Sequence, residues 1–135
     1  MDKDQIRKVK RSFSRSFIGG NDLIQTFYDI FLQSHPSIAP LFEETDFAQQ
    51  KLLLRQGINC FIMFSEGVYA GGFCLDEITI SHNKKHYNIH PNAYVYWKES
   101  LLKALEKSDP QFDQELYHLW IDVIDTGIAY ISKGY

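Results

Sequence analysis

Residues 27–42 read FYDIFLQSHPSIAPLF, and this stretch decides the fold. Leu23, Phe27 and Phe31 fall about one helical turn apart, and Ile24, Tyr28 and Leu32 run beside them. That spacing predicts a helix with a wide apolar face. A phenol in the middle of such a face must find a hydrogen-bonding partner or destabilise the core around it. Pro36 and Pro40 then stop and redirect the chain, because proline lacks the amide hydrogen and its ring clashes with the preceding turn. Phe42 closes the bend. What Tyr28 is buried to meet is the question that opens the function.

The helical period continues on both sides. Ile6, Val9, Phe13 and Phe17 predict a first amphipathic helix that ends at Gly19-Gly20, and Asn21 or Asp22 caps the second. After the bend, Thr45 or Asp46 caps a long helix whose inner face includes Phe47, Leu54, Ile58, Phe61 and Ile62. Residues 67–72, GVYAGG, read as a loop before a shorter helix from Leu75 to Lys85. His90-Pro91 reads as the start of another helix, with the stripe Tyr94, Trp97, Leu101, Leu102 and Leu105. Asp109-Pro110 reads as the opening of the last, which buries Leu116, Trp120, Val123, Ile124, Gly127, Ile128 and Ile131. The β-branched run ITI (78–80) is too short to outweigh the helical pattern around it. The chain therefore reads as one all-α domain over residues 1–135, with about seven helices.

Composition narrows the classes of function. A chain of 135 residues can bury one sizeable core. Its net charge is -3, and the basic residues Lys3, Arg7, Lys8, Lys10, Arg11 and Arg15 alternate with Asp2 and Asp4 as a solvated helix face. No second basic stripe supports a nucleic-acid or membrane-surface role. No apolar run approaches the roughly 20 residues of a membrane span. The N-terminus lacks a charged-then-apolar leader, so a cytoplasmic location is expected. Cys60 and Cys74 are too few for a disulfide framework or a zinc set and read as reduced packing residues. Ten Phe, eight Tyr and two Trp suggest a very aromatic core or a pocket for a large flat ligand.

Five histidines are candidates for chemistry: His35, His82, His86, His90 and His118. His82 shares a predicted helix face with Leu75 and Ile78 and so points toward the core. A lone inward histidine is most often just a satisfied core residue. His82, His86 and His90 recur at helical spacing, but no acidic or cysteine ligand completes a zinc set. His35 and His118 read as exposed.

Taken in order, these segments resemble the globins, above all the bacterial single-domain globins and the haem domain of flavohaemoglobins. Tyr28, Pro36 and Phe42 carry the resemblance first. It continues through TDFAQQ (45–50), LDEITISH (75–82), IHPNAYVYW (89–97) and the last helix, which opens on DPQFD. The match covers nearly the whole chain, and order and spacing make it specific where single motifs are weak. It departs from flavohaemoglobins between His82 and Tyr94, where this chain is longer and a gapless alignment would set Lys84 at the ligand position.

The resemblance implies a globin fold around one haem pocket, with haem b (iron protoporphyrin IX) as cofactor. It implies His82 as the iron ligand, preferred over His86 for the apolar residues behind it. The ring's other nitrogen would be held by a backbone or hydroxyl acceptor. Phe42 would pack on the haem, Tyr28 would face the iron from the opposite side, and Gln50 would stand at the gating position. Gln49 is the alternative to Gln50, and a rigid count from Phe42 would choose Leu52. Leu54 would lie over the ligand, with Ile89, Tyr94 and Trp97 completing the pocket. The implied function is reversible binding of O₂, with NO and CO as further ligands. NO dioxygenation would need a separate reductase, since the sequence shows no flavin or nicotinamide motif. The alternative is a gas-sensing unit that signals to a partner protein.

Overall fold

The computed structural model describes residues 1–67, 69–82 and 92–132, with the side chains of 69, 70, 73 and 79–82 outside that description. Among the described residues there are six α-helices and one 3-10 turn, and no strand. They are α1 (Lys3–Arg15), α2 (Leu23–Phe31), the 3-10 turn Ala39–Phe42, α3 (Phe47–Glu66), α4 (Tyr69–His82), α5 (Ala93–Ser108) and α6 (Gln114–Ser132). The fold is all-α, as the periodicity predicts. None of the described helices is long and apolar enough to cross a membrane.

Caps fix most of the boundaries. Asp2 and Gln5 form a reciprocal capping box at the start of α1. The chain leaves that helix through Gly19 and Gly20, whose φ of 69° and 85° suit glycine. Asp22 caps α2 by accepting from the amides of Ile24 and Gln25. Asn21, the other candidate cap, instead donates to the Ser108 carbonyl at the far end of α5. Asp46 caps α3 through the amides of Ala48 and Gln49.

Three sequence expectations change. The predicted loop 67–72 is mostly helix: Gly67 ends α3 in the left-handed region at φ 87°, and α4 already begins at Tyr69. Glycine here serves close packing rather than a loop, because a Cβ on Gly71 would lie 2.5 Å from the Phe64 amide nitrogen of α3. The last helix begins at Gln114, not at Pro110. Asp113 caps it by accepting from Leu116 N, while Asp109 ends α5 and sends its carboxylate into the core. Finally, Cys60 and Cys74 are not reduced packing residues. They form a disulfide between α3 and α4, with Cα atoms 5.8 Å apart, inside the range such a bridge requires. Pro91, read as the opening of α5, lies outside the described residues, and α5 is described from Ala93.

The core lies where the helices cross. Trp120, Val123 and Ile124 of α6, Leu23 and Phe27 of α2, Leu101 and Leu105 of α5, and Ile58 and Ile62 of α3 belong to one fully buried cluster. Gly127 allows the closest α3–α6 approach, since a Cβ there would strike the Phe61 ring at 2.8 Å. The basic face of α1 is solvated and largely paired, Lys8 with Glu115 and Lys10 with Glu66.

Candidate functional site

Tyr28 sits on the inward face of α2 and is 3% exposed. Its ring is walled by Phe27, by Phe42 at 6.1 Å and by Phe47 at 5.4 Å, the last two in edge contacts. The 3-10 turn that the two prolines create is what swings Phe42 back over α2, where it also meets Phe31. Burial pushes the phenol above its ordinary value of 10.0, and a side-chain hydrogen bond with Gln50 pulls it partly back. At neutral pH Tyr28 is therefore an intact O–H donor.

The three candidates on the long helix differ in exposure. Gln50 is half-buried and meets Tyr28, whereas Gln49 is exposed and Leu52 is 63% exposed. Leu54, about one turn beyond Gln50, is buried. Trp97 packs on Phe27 and Phe61 with ring centroids at 5.8 and 5.4 Å, so it backs the Tyr28 wall from α5. Tyr94 is half-buried on the same helix, and burial pushes its phenol up to about 12.

The register of α3 against α4 sets the level of His82, the residue expected to ligate iron. The two helices run antiparallel: Gly71 abuts Phe64, Cys74 joins Cys60, and Ile78 Cδ1 lies 3.8 Å from the Cβ position of Gly57. Carried about one turn further, this register sets the last residue of α4, His82, level with Leu53 and Leu54. His82 thus ends the helix about one turn from the level of Gln50. Its side chain lies outside the described residues, as do Lys84, His86, Ile89 and His90 altogether. His35 stays on the surface, stacked on Tyr96 at 4.7 Å, and His118 is exposed beside Gln114. Among the described residues no cluster of histidine, cysteine and carboxylate groups is arranged to hold a metal ion.

A solved structure is similar throughout. A Pseudomonas aeruginosa protein, described as structurally highly homologous to a human haemoglobin, superposes with a TM-score of 0.89. It is 33% identical, over 97% of this chain and 98% of that one. The chain belongs to the globin family. No family model and no curated protein matches it.

Two contributors to this globin's site are not evident from the sequence alone. Phe47 is legible as an inward residue of the long helix, but not as a wall of the tyrosine, because ring-to-ring contact needs the bend at Pro40. The Cys60–Cys74 bridge is hidden because the residues between them read as loop. A helix that starts at Tyr69 brings Cys74 back alongside Cys60.

Proposed function

We propose that this globin holds haem b between the Tyr28–Gln50 wall and the end of α4, and binds O₂ reversibly there, with NO and CO as further ligands. The observation that carries the reading is the buried Tyr28 phenol, protonated and with the Gln50 carboxamide as its polar neighbour. Its surroundings fit a large flat apolar group with one polar ligand. Phe42, Phe47 and Leu54 supply apolar surface, and two hydrogen-bonding side chains stand beside them.

Bound there, haem would supply an iron atom with one coordination position open to a diatomic molecule. His82 would hold the iron through an imidazole nitrogen from the end of α4. Phe42 would lie against the macrocycle, and Leu54, with Tyr94 and Trp97 behind, would keep water out. Ile89 would add to that apolar boundary. Tyr28 would offer its phenolic hydrogen to a bound diatomic ligand, and Gln50 would stand beside it as a second hydrogen-bonding group. A hydrogen bond to an acceptor that has gathered negative charge stabilises by about 1–3 kcal/mol. That amounts to a ten- to hundredfold effect on affinity, roughly. O₂ gathers such charge and CO gathers little, so the pair favours O₂ and slows its release.

Absorption spectra of the ferric, ferrous and CO-bound protein test the reading. A Soret band that shifts with CO is the expected outcome, and a colourless chain that takes up no added haemin would end it. NO dioxygenation is the finer extension. Its mark is nitrate formed from oxygenated protein and NO, sustained only when a separate reductase is supplied.

A further inference from the structure

We propose that the Cys60–Cys74 disulfide is a reversible redox clip that sets how α4, and with it His82, is held along the helix that carries Gln50. The bridge lies between the two elements of the candidate site. On α3 it is about three turns beyond Gln50, and on α4 about two turns before His82. It sits about one turn past Gly71, where the two helix backbones come closest. The N-terminal half of α4 is thus fastened twice, by the Gly71 contact and by the bridge.

Access is uneven, which suits exchange rather than permanence. Cys60 is buried at 4% exposure, while Cys74 is half-buried. A small-molecule thiolate attacks the Cys74 sulfur, forms a mixed disulfide there and releases Cys60 as thiolate. A second thiolate resolves the mixed disulfide and releases Cys74. The protein gains two electrons and two protons, and two thiols become one small-molecule disulfide. A disulfide of the same class, such as oxidised glutathione, drives the reverse.

Opening the clip does not free α4. Leu75 remains in the core and Asp76 still accepts from the Tyr130 hydroxyl of α6. The bridge closes only the short segment between residues 60 and 74, so its loss relaxes a local constraint rather than the fold. The C-terminal half of α4 then shifts along α3, at the level where Ile78 meets Gly57. A shift there moves the residue that would ligate iron relative to the residues that would meet its ligand.

The effect on ligand release rests on the haem reading above, whereas the clip itself can be read without haem. The full chain and a C60S/C74S variant are equilibrated with reduced or oxidised glutathione, alkylated and weighed. Amide exchange over residues 69–82 is followed in the haem-free form, and O₂ release is timed after loading with haemin. The clip predicts reversible gain and loss of two alkylated thiols, faster exchange in α4 on reduction, and a several-fold change in O₂ release. The variant should match the reduced state in either glutathione. A bridge or a pair of thiols that never interconverts would overturn the proposal, as would equal exchange and equal release in both states. If the chain takes up no haemin, the haem reading falls separately, and exchange across α4 alone decides the clip.

Discussion

Two buried polar groups in this globin are served very differently. Asp109 is 2% exposed at the end of α5 and is fully engaged. Its carboxylate accepts from Ser12 Oγ at 2.6 Å, from Arg15 Nε and Nη2 at 2.8 and 3.0 Å, and from Gln111 N at 2.9 Å. Ser12 in turn accepts from the Trp120 indole at 3.0 Å. Burial alone would raise this carboxyl, but the bonds from Arg15, Ser12 and Gln111 outweigh it and hold it below its ordinary value. Tyr28 is equally buried, yet it is ringed by phenylalanines, and Gln50 is the hydrogen-bonding group that offsets its burial. A saturated network locks helices together. A buried phenol with a carboxamide as its polar neighbour suits a ligand site.

The contrast can be broken in four places. The largest expected effect is at the far side of the site: His82→Ala should abolish haem uptake or the five-coordinate ferrous spectrum, while His86→Ala keeps both. The opposite result would move the ligand to His86. Asp109→Ala comes next and should cost about 2–4 kcal/mol in urea unfolding, since it leaves Arg15 and Ser12 without their acceptor. O₂ release in that variant should stay at the wild-type rate. If release changed as well, the two regions would not be independent.

The same carboxylate carries a pH signature. Its folded value is depressed, so its contribution is complete above the ordinary carboxylate value of 3.8 and is lost as pH falls through the lower folded value. Acid titration of stability should therefore be shallower in Asp109→Ala than in wild type across that interval. Tyr28→Phe should leave stability nearly intact but speed O₂ dissociation by roughly ten- to hundredfold, with CO affinity little changed. An unaltered O₂ off-rate would remove the phenol from the mechanism. The smallest effect separates neighbours: Gln50→Leu should speed O₂ release by about threefold to tenfold, and Gln49→Leu should change nothing. Equal effects from both would mean that α3 is rotated from the orientation described.

Much of this molecule is legible in its amino-acid order. The stripe Leu23, Phe27, Phe31 specifies α2 because a helix buries residues on its period, and the segment's strong apolarity leaves one reading. Tyr28, Phe42 and Gln50 are singled out as a set by the chain's resemblance to the globins, which local pattern alone does not supply. Boundaries are less legible. Asp109 and Asp113 are both plausible caps with a proline or polar turn nearby, and only the partners Arg15 and Ser12 on α1 decide which one faces the core. Glycines mislead in the same way, since a glycine that serves close helix packing is indistinguishable in sequence from one that serves a turn.

The helical period and the apolar faces it creates are written in the chain itself, because they depend on neighbours within a turn or two. Three outcomes wait on the packing of whole helices: that Cys74 returns to Cys60, that Gln50 rather than Gln49 meets the phenol, and that Asp109 is locked in place. They depend on how α3 lies against α2 and α4, and on how α1 meets the end of α5. A rotation or slide of a few ångströms, set by contacts such as Gly71 on Phe64, changes which side chains face one another without altering any local pattern.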